Sequence, residues 1–192
     1  MAETRQLASF YLDVAGAHAE EQVARALAQD GSSTPEPATL VILWCARPAA
    51  EGGMSLFADG KQLYQVLAKE YPLVLETLST PNSALFAGAE PPVYGSIFST
   101  GADGLICVRF RSDGLGYYAT PVCSVLPLFL GLLEQYTLAF PLQKQQGYIL
   151  QNGRWLHGRT AFRGEREMYR VLVRTDPATS LGALVPLGFQ PG

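Results

Sequence analysis

The chain has 192 residues, enough for one domain with a substantial hydrophobic core but too few for two domains of ordinary size. Hydrophobic residues make up 48% and charged residues 16%, which excludes a disordered or coiled-coil protein. The formal net charge is -3 and the sequence has no long basic run, so we expect no nucleic-acid partner.

The predicted elements are mostly short strands. Asn152-Gly153 is a strong turn signal and predicts a hairpin between the strands on either side of it. Asp59 could cap the helix that follows it, and segments 31–37 and 80–92 are predicted loops. The pattern indicates a mainly β domain over residues 1–192, a sandwich or distorted barrel with a few flanking helices. In chain order we predict a strand at Arg5–Val14, a helix at Glu20–Gln29, strands at Thr39–Trp44 and Ser55–Ala58, a helix at Lys61–Lys69, a strand at Leu105–Arg111, a helix at Val125–Leu138, and strands at Tyr148–Gln151, Arg154–His157 and Met168–Arg174.

Nothing in the sequence predicts a membrane or secreted protein. The apolar stretch at residues 122–133 is interrupted by Pro127 and is too short to span a bilayer. No apolar signal region follows the first residues. The cysteines have no Cys-x-x-Cys spacing and are expected to be buried free thiols, which favours a cytoplasmic protein. They are Cys45, Cys107 and Cys123.

The chain contains two histidines, His18 and His157. In a strand, the first and third residues of His18-Ala19-Glu20 would share one face, about 7 Å apart at ~3.3 Å per residue. Two imidazoles and one carboxylate form the ligand set that suits non-haem ferrous iron. The alternative is an exposed His18 and a half-buried, hydrogen-bonded His157.

Two arginines, Arg166 and Arg170, lie four residues apart near the last predicted strand. If that strand is regular, both side chains point to the same face and can enter the interior. A buried guanidinium needs a carboxylate, because an unpaired buried charge is costly. No acidic residue of a neighbouring strand is an obvious partner, which favours a dicarboxylate co-substrate.

The segment around His157 resembles the iron(II)- and 2-oxoglutarate-dependent oxygenases of the taurine dioxygenase and clavaminate synthase-like superfamily. Residues 147–162, GYILQNGRWLHGRTAF, are similar to that family's strand, turn and distal histidine. Residues 51–60, EGGMSLFADG, resemble its Gly-Gly-x-Ser/Thr segment. The similarity covers roughly residues 15 to 175 and is strongest to the asparagine-oxygenase branch, in which His-x-Glu replaces His-x-Asp.

The resemblance implies a double-stranded β-helix (jelly-roll) core and an enzyme that uses Fe(II), 2-oxoglutarate and O2. It implies that His18, Glu20 and His157 bind the iron. A carboxylate ligand at position 20 favours hydroxylation, desaturation or cyclisation over halogenation. The substrate would be a small molecule such as an amino acid or natural-product intermediate.

The resemblance also implies a binding site for the co-substrate. Arg166, assisted by the Ser55 hydroxyl, would pair with the distal carboxylate of 2-oxoglutarate. Arg170 would lie near the carboxylate that chelates iron, or would replace Arg166 in the main salt bridge.

Family members usually carry a long segment before the His-x-Asp/Glu motif, whereas only seventeen residues precede His18 in this chain. We therefore expect an open active site, a truncated chain, or a partner or second copy that covers the site.

Arg109, Arg111 and Asp113 fall where relatives place substrate-binding polar groups. The arginines would suit an acidic substrate and Asp113 an amine, whereas the alternative is a solvated strand face. Two other functions remain open: a non-catalytic binding protein on the same fold, and a cupin-like metal-binding protein that does not use 2-oxoglutarate.

Overall fold

The computed structural model describes residues 8–17, 26–88, 91–176 and 178–192, with the backbone alone for residues 8–17 and 26. Four helices lie in this part of the chain: α1 (Gly60–Glu70), α2 (Pro72–Leu78), α3 (Thr120–Gln135) and α4 (Ser180–Leu184). The strands of the same residues are β1 (Ala8–Ala17), β2 (Ala26–Ala28), β3 (Leu40–Arg47), β4 (Glu51–Gly52), β5 (Ser55–Asp59), β6 (Ala84–Phe86), β7 (Val93–Gly95), β8 (Phe98–Thr100), β9 (Ile106–Val108), β10 (Gly116–Tyr118), β11 (Leu138–Phe140), β12 (Gly147–Gln151), β13 (Trp155–Arg159), β14 (Phe162–Arg163) and β15 (Arg166–Thr175). The predicted mainly β class with few helices is confirmed.

Two four-stranded antiparallel sheets form the core. The first sheet has the strand order β1-β15-β3-β12, and the second has the order β11-β5-β13-β2. Apolar side chains of both sheets meet between them, with Val41 and Leu150 from the first sheet packed against Phe57 from the second. The polar side chains that enter this inter-sheet space form the candidate site.

Helices α1, α2 and α3 cover the outer face of the second sheet. Leu27, Leu56 and Leu156 of that sheet belong to the same buried cluster as Leu63 of α1 and Phe129 of α3. Because neighbouring residues of a strand point to opposite faces, Ala28 and His157, which follow Leu27 and Leu156, point toward the first sheet. Helix α3 packs outside a sheet as predicted, but it begins at Thr120, with a proline in its first turn.

The predicted hairpin at Asn152-Gly153 is wrong. Strand β12 pairs with β3 in the first sheet, whereas β13 pairs with β2 and β5 in the second. The turn therefore carries the chain from one sheet to the other. Asn152 is fully buried, and its side-chain amide donates hydrogen bonds to the carbonyl oxygens of Asp30 and Ala38. A Cβ atom at position 153 would lie 1.6 Å from the Leu187 carbonyl oxygen, so only glycine fits there. The residues suit a buried crossing rather than an exposed turn.

Other predicted elements are confirmed or corrected in detail. Helix α1 begins after Asp59, whose side chain accepts a hydrogen bond from the backbone N–H of Lys61 at 3.0 Å, as expected for a cap. The helix predicted at Glu20–Gln29 is wrong in its described part, because Ala26–Ala28 is a strand paired with β13. No helix of the described residues is long and apolar enough to cross a membrane.

Candidate active site

His157 lies near the middle of the second sheet and points into the inter-sheet space. It stands opposite Phe57 of β5 on one side and Ala28 of β2 on the other. Its imidazole is 12% exposed. Nδ1 is buried and has no hydrogen-bond partner among the described residues. Nε2 faces a carboxylate.

That carboxylate belongs to Asp30, two residues after β2. Asp30 Oδ2 lies 3.2 Å from His157 Nε2, and Arg170 Nη1 donates to Asp30 Oδ1 at 2.6 Å. Burial raises the pKa of Asp30, but the hydrogen bond to His157 and the charges of His157 and Arg170 outweigh it and hold that pKa below its ordinary value. Asp30 is therefore ionised at neutral pH.

Asn152 fixes the backbone of Asp30. Its side-chain amide donates to the carbonyl oxygens of Asp30 and Ala38, both at 2.8 Å, and its Oδ1 accepts from the Asp30 N–H at 3.2 Å. Gln29 Nε2 in turn donates to the Asn152 carbonyl oxygen at 3.2 Å. The crossing between the two sheets thus positions the carboxylate against His157.

Arg166 and Arg159 both contact the Phe162 ring. Their guanidinium carbons are 5.6 Å and 4.6 Å from the ring centroid. Neither has a carboxylate partner in the described part of the chain. Burial lowers the pKa of both, and for Arg166 the positive charge of Arg159 lowers it further. The two partly buried guanidinium groups lie close together, so their combined positive charge attracts an anion.

This cationic pair lies beside Ser55 and a small cavity. Ser55 is 1% exposed and stands directly opposite Arg159 in the β5–β13 register. Arg166 lines a cavity of about 130 Å³ together with Cys45 and Met168. An apolar cavity of about 150 Å³ holds a benzene molecule, so this volume fits a group of a few heavy atoms.

Tyr148 of β12 lies among the same charges. Burial raises its pKa strongly, and the nearby Asp30 carboxylate raises it further. Its ring packs edge-on against Phe57, with centroids 4.7 Å apart. The phenol therefore keeps its proton and can donate a hydrogen bond inside the site.

The three predicted substrate residues differ in their contacts. Arg111 Nη2 and Asp113 Oδ2 form a salt bridge of 2.5 Å, and Arg111 also donates to the Ala87 carbonyl oxygen at 2.7 Å. Arg109 has no carboxylate partner among the described residues, and its guanidinium lies 5.7 Å from the Phe86 ring centroid. Arg109 is therefore the cation of this group that is available to an acidic ligand.

The predicted iron ligands are only partly within the described residues. His157 lies in the site, whereas His18 and Glu20 lie outside the described residues. Ligand atoms that share one metal at bond lengths of about 2.1 Å and at right angles are about 3 Å apart. The 3.2 Å separation of His157 Nε2 and Asp30 Oδ2 fits two such ligands. Of the predicted set this pair contains His157 alone, because its carboxylate is Asp30 and not the predicted Glu20.

The sequence argument missed Asp30 and Tyr148. No histidine stands two residues before Asp30, so a search for His-x-Asp or His-x-Glu passes over it. Arg166 and Arg170 were predicted to point to the same interior face. The structure places both on β15, where the alternate residues Met168 and Leu172 pack between the sheets.

Residues 9–97 match the family model described as "Taurine catabolism dioxygenase TauD, TfdA family". Solved structures with the same fold include an asparagine oxygenase in complex with Fe(II), 2S,3S-3-hydroxyasparagine and succinate, at 18% identity and a TM-score of 0.66. The resemblance to the taurine dioxygenase superfamily is confirmed. The predicted double-stranded β-helix (jelly-roll) fold is confirmed by these structural matches.

Other similar structures are those of the non-heme iron oxygenase OrfP. The complex with Fe and L-Arg is 14% identical, with a TM-score of 0.64, over 91% of this chain and 60% of that one. The complex with Fe and alpha-ketoglutaric acid is also 14% identical, with a TM-score of 0.61, over 78% and 49%. The asparagine oxygenase match covers 85% of this chain and 54% of that one, so this chain spans about half the length of the structures it resembles. No curated protein sequence matches the chain.

Proposed function

We propose that this protein is an iron(II)- and 2-oxoglutarate-dependent oxygenase that oxidises a small molecule by hydroxylation, desaturation or cyclisation. The observation that carries the proposal is the contrast between two arginines of β15. Arg170 is bound to Asp30, whereas Arg166 points into the same interior and has no carboxylate partner among the described residues. A dicarboxylate co-substrate supplies the missing anion.

The metal would be held by His157 and by His18, the remaining histidine of the sequence. Glu20 is the carboxylate that the sequence predicts, and Asp30 is the carboxylate that lies against His157. When bound, ferrous iron supplies the sites at which 2-oxoglutarate and O2 react. The hydrogen bond to His157 and the charges of His157 and Arg170 hold the pKa of Asp30 below its ordinary value, so this carboxylate is ionised, and burial keeps Tyr148 protonated beside it.

The co-substrate would lie between the iron and the Arg159–Arg166 pair. Its distal carboxylate would pair with Arg166 and accept a hydrogen bond from Ser55, as the resemblance implies. Arg159 stands opposite Ser55, so it adds a second positive charge at the same place. A bidentate or paired guanidinium contact is the strong way to hold a carboxylate.

The primary substrate would be an amino acid or a related natural-product intermediate. Similar structures contain hydroxyasparagine in one case and L-Arg in another. Arg109 would bind an acidic group of the substrate, while Arg111 and Asp113 are already paired with each other. We expect a single cytoplasmic domain over residues 1–192 that binds neither nucleic acid nor membranes. Its site would be open to solvent, or a partner or second copy of the chain would cover it.

Succinate formation and 2-oxoglutarate binding test the proposal. His157→Ala should abolish 2-oxoglutarate-dependent succinate formation. Arg166→Ala should weaken 2-oxoglutarate binding by about tenfold or more, since a hydrogen bond to a charged group contributes about 1.5–3 kcal/mol. Arg163→Ala is the matched control, because that side chain is 83% exposed and makes only a long contact of 3.8 Å with Glu51. Succinate formation by His157→Ala at the wild-type rate would refute the proposal.

A further inference from the structure

Two large cavities meet at Arg109. The first has a volume of about 810 Å³ and the second a volume of about 550 Å³. Three residues, Pro35, Ser99 and Arg109, line both of them. We call the two cavities together the Arg109 groove.

Arg109 is a half-buried cation at the junction of the groove. It has no carboxylate partner in the part of the chain that the structure describes, and its guanidinium packs over the Phe86 ring at 5.7 Å from the centroid. Burial lowers its pKa, and the nearby Cys107 thiol raises it by less. Because removing a charge from water is costly, an anionic group of a ligand is stabilised beside this guanidinium.

The wall of the second cavity is polar but almost uncharged. Among the described residues that line it, Arg109 is the single charged one. The exposed Tyr94 ring lies at the same cavity. Hydroxyl and amide side chains both donate and accept hydrogen bonds, which is what the amide groups of a peptide require. The residues that supply them are Ser79, Asn82, Ser96, Ser99 and Thr100.

The groove is too large for a free amino acid. A cavity of about 150 Å³ holds the six carbons of benzene, so an amino acid of about ten non-hydrogen atoms needs about 250 Å³. The first cavity alone, at about 810 Å³, lies in the range of about 300–1,000 Å³ that is typical of sites for larger ligands. A ligand of several linked amino acids fits this volume.

The first cavity also reaches the chain next to the candidate iron site. Gln29 lines this cavity, and the residue after it, Asp30, carries the carboxylate that lies against His157. The N–H of Gln29 donates to the Phe110 carbonyl oxygen at 3.1 Å, so the segment that carries Arg109 runs beside the end of β2. One end of the groove therefore lies close to the place where the proposed reaction occurs.

We infer that the Arg109 groove binds a short acidic peptide, with a side-chain carboxylate paired with Arg109 and the neighbouring residues of the peptide in the two cavities. The substrate would then be a peptide rather than a free amino acid. This identification as substrate rests on the proposed function, whereas the binding of the peptide does not.

The test compares three probes by titration calorimetry on the full chain: the blocked tripeptide acetyl-Ala-Glu-Ala-amide, its uncharged analogue acetyl-Ala-Gln-Ala-amide, and free L-glutamate. The acidic tripeptide should bind about tenfold or more tightly than either of the others, because hydrogen bonds to a charged group are the strong ones. Arg109→Gln should remove the preference for the acidic tripeptide. Arg163→Gln is the matched control, since that side chain is exposed, and it should keep the preference.

Gly95→Leu tests the second cavity and gives an independent result if Arg109→Gln fails to fold. Gly95 lines this cavity, and a Cβ there meets the Phe86 ring at 3.5 Å and Arg109 Nη1 at 4.0 Å, so the strand accepts a side chain that fills the space beside Arg109. The variant should weaken binding of the acidic tripeptide by about tenfold. Gly131→Leu adds the same side chain to α3, where no atom lies within 4 Å, and it should bind like the wild type.

The inference is overturned if the wild type binds neither tripeptide, if it binds the two equally, if free glutamate binds as tightly, or if Arg109→Gln keeps the preference. Failure of the proposed function would look different. In that case the tripeptides would follow the expected pattern, but the wild type would neither bind 2-oxoglutarate nor form succinate from it.

Discussion

Asn152→Ala tests how the crossing between the sheets positions the site. The fully buried amide makes three hydrogen bonds, two to carbonyl oxygens and one from the Asp30 N–H. At about 0.5–1.5 kcal/mol net for each hydrogen bond, its removal should lower the free energy of unfolding by about 2–4 kcal/mol. Because the same amide fixes Asp30, the variant should also bind divalent metal more weakly.

Urea unfolding followed by tryptophan fluorescence measures this change. Gln135→Ala removes an exposed amide from the last turn of α3, and it should stay within about 0.5 kcal/mol of the wild type. Asn152→Asp keeps the shape of the side chain but turns a carboxylate oxygen toward the two carbonyl oxygens, so it should be at least as destabilising at neutral pH. If both variants at position 152 unfold at the wild-type urea concentration, the crossing does not position Asp30 as described.

Further predictions concern packing and titration. Gly153→Ala should destabilise the protein by more than about 3 kcal/mol in urea unfolding, because the new Cβ meets the Leu187 carbonyl oxygen at 1.6 Å, whereas Gly131→Ala, with no atom within 4 Å, should be neutral or stabilising. The hydrogen bond from Arg111 lowers the pKa of Asp113 from 3.8, so the stabilisation is present above that value and is lost as the pH falls through the lower folded pKa. The melting-temperature difference between wild type and Asp113→Asn should therefore be larger at about pH 5 than at about pH 2, and a difference independent of pH would contradict the ion pair. Iodoacetamide at about pH 8 should modify exposed Cys123 first, since burial raises the pKa of Cys107 to about 11 and also raises that of buried Cys45; equal labelling of all three in the native protein would contradict the packing.

The sequence was sufficient for the parts of the fold that depend on local patterns. Alternating or continuous apolar runs located β3, β5 and β15, and the Asp59 cap located the start of α1. It failed at Ala26–Ala28, where alanine-rich composition favours a helix but pairing with β13 imposes a strand. A preference summed over a few residues is weaker than the hydrogen bonds and burial that this edge strand gains by pairing with β13.

Some residues of the candidate site could also be predicted from the sequence, whereas others could not. The motif around His157 and the spacing of Arg166 and Arg170 were visible in the sequence, because each lies within one short segment. Asp30 became visible only with the fold, since its partner His157 is 127 positions away. The turn signal at Asn152-Gly153 was real, but whether the chain returns to the same sheet depends on contacts with Asp30, Ala38 and Leu187 that no local pattern contains.

The most direct test of the account is anaerobic addition of saturating ferrous iron and 2-oxoglutarate to the wild-type chain. We predict a weak visible metal-to-ligand absorption band, absent from His157→Ala and retained by Arg163→Ala. No band in the wild type, or an undiminished band in His157→Ala, would contradict an iron site built on His157 between the two sheets.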